Sequence, residues 1–419
     1  MGVVEWGTGL TTTSRPPTPT LPHKGGGSCY GSATAHARYR PVLADGGEKT
    51  NAMRRRRAGK TKAMTESKPR PSSPVQMTTA APDTHKLRVA VVGIGWWSDV
   101  LADAALRSDT IEIAACYTRS DDKRRAFAAK YNCRPASSYD EILADSDIEA
   151  IINTTPNNAH LATTRMAAEA GKHVFLDKPI ANSVAEGCEI ARVCAAADVV
   201  LALGYQRRRE NHFRWIKAEI DAGRFGRLVQ AECNISRDRL GKIDLSSWRY
   251  QAAGMPGGVM LQIGIHYVDV LEMLIGPVRR VSGACAQLVL PGDNPDVASL
   301  IMEHECGAIS NLTASYASAS EYYMMNIYGK EASAYYDLFS GLRHLRRGDA
   351  APRAIAVTAN DTICEELDEF AACIRNGGQP ETDGWWASRN LAVVMAGVQS
   401  AREGRAVDVV AARGRLIAN

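Results

Sequence analysis

The chain reads as an α/β protein with two parts: a doubly wound parallel sheet, then an α+β half on a largely antiparallel open sheet. Three observations predict this. The β-branched run LRVAVV at 87–92 leads directly into a glycine-rich turn. Strand-like and helix-like segments then alternate up to residue 203. From residue 228 onward, strand-like runs succeed one another. Alternation implies parallel strands joined by crossover helices, whereas consecutive strands imply antiparallel pairing.

In order, strand 87–92 is followed by a helix-compatible run to Leu106 and a second strand at 111–116. Ser138 to Glu141 has the spacing of a capping box ahead of Ile142 and Leu143. Residues 148–153 read as a buried strand, and the helix after it runs to Ala170 and stops at Gly171. Strand 173–176, helix 184–197 and strand 199–203 complete the first half. Residues 212–222 place Phe213, Ile216 and Ile220 at helical spacing, and 228–236 alternate between apolar and polar residues, as a half-buried strand does. Further strands are expected at 279–290, 297–304, 307–316, 322–328 and 332–337. Thr362 to Glu365 looks like a second capping box, and Trp385 and Trp386 open the last long helix.

The 419 residues suit two domains plus an extension, with 45% hydrophobic and 23% charged residues, as in globular proteins. Residues 1–85 are rich in Pro, Thr, Ser, Gly and Arg and carry 13 Lys/Arg against 5 Asp/Glu. They are expected to be a disordered extension from a start placed too far upstream, with Met64 or Met77 as the natural start. The remainder carries 37 Lys/Arg against 41 Asp/Glu, so composition offers no reason to propose a nucleic-acid partner. No apolar run approaches the roughly 20 residues of a membrane helix. Ten scattered cysteines without a C-x-x-C pair, and no secretory signal, fit reduced thiols in a cytoplasmic protein without a metal site.

Gly93-Ile94-Gly95-Trp96-Trp97-Ser98 forms a G-x-G-x-x-S turn inside a strand–helix–strand unit, the arrangement of a Rossmann dinucleotide site. Gly93 permits the tight turn, Gly95 lets backbone approach a pyrophosphate, and Ser98 is small enough for close helix–strand packing. The pyrophosphate would meet the amides that begin the helix. After the second strand, where NAD enzymes usually carry Asp or Glu, stands Tyr117-Thr118-Arg119-Ser120. Arg119, Ser120 and Arg124 suit a 2′-phosphate, which favours NADP over NAD.

Three further motifs follow in order: Thr155-Pro156-Asn157-Asn158-Ala159-His160, Asp177-Lys178-Pro179, and the segment 257–269 that contains Gln262, His266 and Asp269. Together with Trp248-Arg249 they resemble the Gfo/Idh/MocA oxidoreductases, over roughly residues 86–410. The resemblance implies a Rossmann domain at 86–207 and, at 208–419, a substrate and oligomerisation domain whose sheet joins copies into a dimer or tetramer. It also implies hydride transfer between a nicotinamide and a secondary alcohol or ketone of a sugar, polyol or similar small molecule.

Lys178 and His266 would be the catalytic pair, the ammonium bonding the reacting oxygen and the imidazole acting as acid/base. Gly93, Ile94, Gly95, Trp96, Trp97, Thr155, Pro156, Asn157, His160, Asp177 and Lys178 would line the cofactor site, and Trp248, Arg249 and Gln262 the substrate site. The family often has a cis peptide before Pro179. Two departures stand out: Gln262 occupies the position of a family Asp, and Asp177 that of a family Glu. Two rivals remain: a reductase or dehydrogenase of a non-sugar C=O, C=N or dihydrodiol substrate, to which the Gln262 change lends weight, and a catalytically silent nucleotide-binding regulator, a role that some relatives in the family imply. Asp269 would share a helix face with His266. Tyr322, Tyr323, Tyr335 and Tyr336 are candidates to reach the substrate or to fill the sheet, and Trp385 and Trp386 to shape the mouth or to pack.

Overall fold

The computed structural model describes residues 85–240, 244 and 246–409. The expectation of disorder before residue 86 lies, except for His85, outside them. Among the described residues no helix is long and apolar enough to cross a membrane.

The first half alternates as expected: β1 (Leu87–Val92), α1 (Trp96–Arg107), β2 (Ile111–Tyr117), α2 (Asp121–Tyr131), β3 (Arg134–Pro135), α3 (Tyr139–Ala144), β4 (Ala150–Asn153), α4 (His160–Glu169), β5 (His173–Asp177), α5 (Val184–Ala196) and β6 (Leu201–Gly204). Its six strands pair in parallel in the order β3-β2-β1-β4-β5-β6. The chain reverses direction across the sheet at β1 and β4, and a doubly wound sheet opens its crevice at such a point, beyond the carboxyl ends of the strands. Helix α2 and the two-residue β3 had no counterpart in the sequence reading. Ser138 caps α3 by accepting from the Glu141 amide, while the Glu141 carboxylate reaches back to Ser137 rather than to the cap.

The second half holds α6 (Asn211–Asp221), β7 (Leu228–Asp238), α7 (Ile265–Ile275), β8 (Val278–Ala286), β9 (Val297–His304), β10 (Ile309–Ser315), β11 (Ala317–Gly329), β12 (Ala332–Asp337), β13 (Gly341–Arg346), β14 (Arg353–Ala354), α8 (Thr362–Asn376), α9 (Gly384–Glu403) and β15 (Val407–Asp408). The nine strands order as β14-β13-β12-β11-β7-β10-β9-β8-β15. All pairs are antiparallel except β7 with β10. Ala231, Cys233, Ile235, Leu300, Leu312 and Met325 are buried in one core with residues of α7 and α9. The cap of α8 is Asp361, which accepts from the Cys364 amide, rather than Thr362.

Helix α8 crosses back to the first half. Leu367, Phe370 and Ala371 share a core with Leu87, Val89 and Leu101, and the rings of Phe175 and Phe370 meet edge-on at 5.8 Å. The core of the first half therefore draws on residues far beyond 207, because helical patterning marks which residues are buried but not where they pack.

Candidate active site

Two adjoining cavities lie beyond the carboxyl ends of the parallel strands. The first, about 660 Å³, is bounded by Gly93, Ile94, Gly95, Tyr117, Thr118, Arg119 and Lys123, and on its other wall by Thr155 and Pro156. Gly93 has φ +88°, and a Cβ there would come within 2.5 Å of the Thr155 amide nitrogen, so the approach of the turn to β4 requires glycine. A Cβ on Gly95 would meet nothing within 4 Å, which leaves the start of α1 open to the cavity. Ser98 is fully buried; its hydroxyl accepts from the Gly95 amide at 2.9 Å and donates to the Gly95 carbonyl at 2.6 Å. The other early amides of α1 have no partner within the helix. An open glycine cradle at a helix N-terminus fits a dinucleotide pyrophosphate.

At the far end of this groove Ser120 caps α2. Arg124 is not among the residues that line the groove; its guanidinium pairs with Asp121 and donates to the Thr118 carbonyl. Arg119 and Lys123 line the wall. Lys123 was not among the residues singled out from sequence.

The second cavity, about 520 Å³, adjoins the first at Trp248 and Arg249, which line both. Asp177, Lys178, Gln262 and His266 face it, together with Trp96, Trp97 and Asn157. Lys178 stands at the end of β5, ahead of a cis peptide to Pro179. Its Nζ donates to the backbone carbonyl of Gln262 at 2.7 Å. Residues Met260–Gly264 form a π-helical turn at the head of α7, a rare local winding that often marks functional sites. Gly258, just before this turn, has φ +56°, and a Cβ there would come within 2.2 Å of the Pro295 carbonyl oxygen.

Several buried polar atoms here have no hydrogen-bond partner: Asp177 Oδ1, Gln262 Oε1 and His266 Nδ1. Such atoms are costly to leave unsatisfied, and their convergence on one cavity marks it as a place for a polar ligand. Burial, with Lys178, Arg207 and Arg237 nearby, holds the His266 imidazole well below its usual range, so it is neutral. Burial also lowers the Lys178 amine, against the opposing pull of Asp177. Burial pushes the Asp177 carboxyl up to about 6, although Lys178 and Arg249 oppose it.

Other expected residues sit elsewhere. His160 is fully buried; Nε2 lies 2.8 Å from the Thr155 carbonyl and Nδ1 lies 3.1 Å from that of Pro179, tying the two loops together behind the cavity. Asp269 follows His266 by one turn yet binds Arg208. Of the four tyrosines, only Tyr323 lines the cavity; Tyr322 stacks on Phe339 and Tyr336 on His212. Trp386 packs between Arg208 and Arg389. Sequence reasoning missed Arg207, Arg237, Arg239 and Tyr316, all of which line the cavity. Arg237 sits in the exposed-looking end of a strand, and Arg207 in a basic triplet that reads as solvated surface.

Known proteins agree with this architecture. An oxidoreductase family model with an NAD-binding Rossmann fold matches residues 87–205, and the GFO/IDH/MocA C-terminal domain matches 213–335. A solved structure named for an NADPH-dependent oxidoreductase of Desulfitobacterium hafniense DCB-2 superposes with a TM-score of 0.74 at 31% identity, over 78% of this chain and 99% of that one. The chain belongs to the GFO/IDH/MocA oxidoreductase family. Other members include D-apiose dehydrogenase of Paraburkholderia graminis, 27% identical over 80% of this chain and 93% of that protein, and scyllo-inositol 2-dehydrogenase (NAD(+)) of Bacillus subtilis, 28% identical over 64% and 80%. As a GFO/IDH/MocA protein the chain is an NAD(P)-dependent oxidoreductase.

Proposed function

We propose that this enzyme transfers hydride between a nicotinamide and a secondary alcohol or ketone of a sugar-like or polyol substrate, with Lys178 and His266 managing the proton. The observation that carries the reading is the meeting of Lys178 Nζ and the unpartnered, neutral His266 imidazole in one polar cavity that adjoins the glycine-lined groove. D-Apiose and scyllo-inositol dehydrogenases are relatives whose names fit it.

The groove from Gly93 to Gly95 would hold the dinucleotide, whose nicotinamide supplies the hydride acceptor or donor when bound. Lys178, anchored by the Gln262 carbonyl, presents its remaining N–H bonds to the reacting oxygen and stabilises alkoxide character there. Neutral His266 accepts the hydroxyl proton at a free ring nitrogen. Gln262 Oε1 accepts from a second substrate hydroxyl, an orienting role that needs no charge. A polar cavity at these residues also speaks against the silent regulator.

Arg119 and Lys123, with no carboxylate lining the groove beside them, favour NADP over NAD. The sheet exposes Ile301 and Ile309 on the face away from its core, which suits a second copy and hence a dimer or tetramer.

The test follows nicotinamide absorbance with both cofactors against sugars, polyols and ketones, comparing the native chain with Lys178→Met and His266→Ala. Turnover lost in both variants with cofactor binding retained supports the reading. A native chain that binds neither cofactor overturns it.

A further inference from the structure

The charge balance of the 520 Å³ cavity is lopsided. Lys178, Arg207, Arg237, Arg239 and Arg249 line it, against the single carboxylate of Asp177. A neutral polyol has no use for such a field; hydroxyls and amides would bind it as well and at lower desolvation cost.

Some of these cations are already matched. Arg207 pairs with Glu210, and Arg237 with Glu321 at 3.1 Å. Asp177 stands beside Lys178 and opposes the fall in its affinity for the proton. Arg239 and Arg249 have no carboxylate partner among the described residues. Both are partly buried rather than free in solvent. The Arg249 guanidinium lies 4.6 Å over the Trp248 ring, which fixes its plane. The Arg239 backbone amide donates to the Tyr316 carbonyl at 2.9 Å, which anchors the root of that side chain beside the cavity.

Tyr316 supplies the second, independent sign. It is 3% exposed, it lines the cavity, and its hydroxyl has no hydrogen-bond partner. Arg239, Arg237 and Arg249 all exert their charge on that hydroxyl. A buried O–H donor amid three guanidiniums, of which Arg239 and Arg249 have no ion pair among the described residues, has the donor set of an oxyanion site. The dinucleotide phosphates do not account for it. Their cradle is the Gly93–Gly95 turn in the other cavity; Arg249 borders both cavities, but Arg237, Arg239 and Tyr316 line only this one.

We infer that the substrate is a polyhydroxylated acid whose carboxylate or phosphate is held by Arg239 and Arg249, with the Tyr316 hydroxyl as a third donor. This rests on the dehydrogenase reading above and narrows it from sugars and polyols in general to their acids. The anion would sit at the wall formed by the second half. The carbinol carbon would then lie toward Lys178 and His266, and the acid group would fix which carbon that is.

The test compares matched pairs on the full chain saturated with oxidised cofactor: D-gluconate with D-glucitol, D-glucuronate with D-glucose, and D-glucose 6-phosphate with D-glucose. Binding is read by calorimetry and turnover by nicotinamide reduction. The acid of at least one pair is expected to bind about tenfold or more tighter than its neutral partner, as charge-assisted bonds to a guanidinium allow. Arg239→Gln is expected to erase that preference, and Tyr316→Phe, which removes only the hydroxyl, to reduce it. The carboxylate pairs and the phosphate pair tell the two sources apart. Equal binding of acid and neutral members, or a preference that survives in both variants, overturns the inference even where the neutral compounds are oxidised. A preference that holds without turnover of any compound supports the anion site and counts against the dehydrogenase reading alone.

Discussion

Arg208 binds both carboxylate oxygens of Asp269, Nε to Oδ2 at 2.9 Å and Nη2 to Oδ1 at 2.7 Å, with both side chains almost fully buried. Trp386 Nε1 and Asn390 Nδ2 donate to Oδ1 as well. The carboxylate one turn after His266 is thus a joint between α7, α9 and the turn after β6, and its hydrogen-bond partners do not include the imidazole. Asp269→Ala leaves a guanidinium buried without its main partner and should cost about 3–5 kcal/mol of stability. Chemical denaturation checks the loss. A pH–rate profile that moves in a stably folded Asp269→Asn would instead assign Asp269 to the proton chemistry.

Lys178→Met removes the ammonium from the reacting oxygen while roughly keeping its volume. The turnover number should fall by about 10²–10⁴-fold, the usual range for a lost electrostatic or acid–base group. Cofactor affinity should change by less than about threefold, since the groove from Gly93 to Lys123 is untouched. A loss of cofactor binding equal to the loss of rate would place Lys178 in binding rather than chemistry.

Asp177 and Lys178 also make a pH prediction. The Lys178 ammonium exists below its own pKa, so activity is lost as pH rises through that value. Burial lowers it and the Asp177 charge raises it. Asp177→Asn removes the raising charge, so the alkaline limb of kcat/KM should move to lower pH. Below about pH 6 the native carboxyl is itself protonated, and the profiles of the two proteins should converge there.

Arg119→Ala should weaken NADPH by about 10- to 100-fold, as expected for lost charge-assisted bonds to a 2′-phosphate. NADH should change by less than about threefold. Fluorescence titration with each cofactor reads both numbers, and an equal loss for the two would mean that Arg119 touches a part they share.

Glu366 is 3% exposed, and neither carboxylate oxygen has a hydrogen-bond partner. Burial pushes its carboxyl well above the usual range; Arg209 opposes the shift, while Asp177, Glu369 and Asp269 add to it. For an acid with a raised folded pKa, stability is lost as pH climbs above the unfolded value, about 4.3. Glu366→Gln removes that loss. Its melting temperature should exceed the native one at pH 7 by about 2 °C or more, and the gap should shrink toward pH 4. Thermal scans across this range decide it, and a constant gap would contradict the titration.

What could be read in the chain beforehand follows from what is local. The turn at Gly93 and Gly95, the apolar strands and the helix stop at Gly171 are each dictated by a few adjacent residues. Lys178, His266, Trp248 and Arg249 came from family pattern, and the fold brings them to one cavity. Helical phase decides between Lys123 and Arg124: neighbours on a helix point about 100° apart, and the phase is set by the cap at Ser120. Arg237, Arg239 and Tyr316 carried no local signal, because β7 and β10 meet only when the sheet assembles. The ties of His160 to Thr155 and Pro179 are equally non-local.

The anchor of Lys178 is a main-chain oxygen, which no substitution of the Gln262 side chain removes. Residue 262 is therefore a dial that can be turned independently of the lysine: descendants or engineered libraries can exchange it to greet a different hydroxyl pattern while the amine stays tethered.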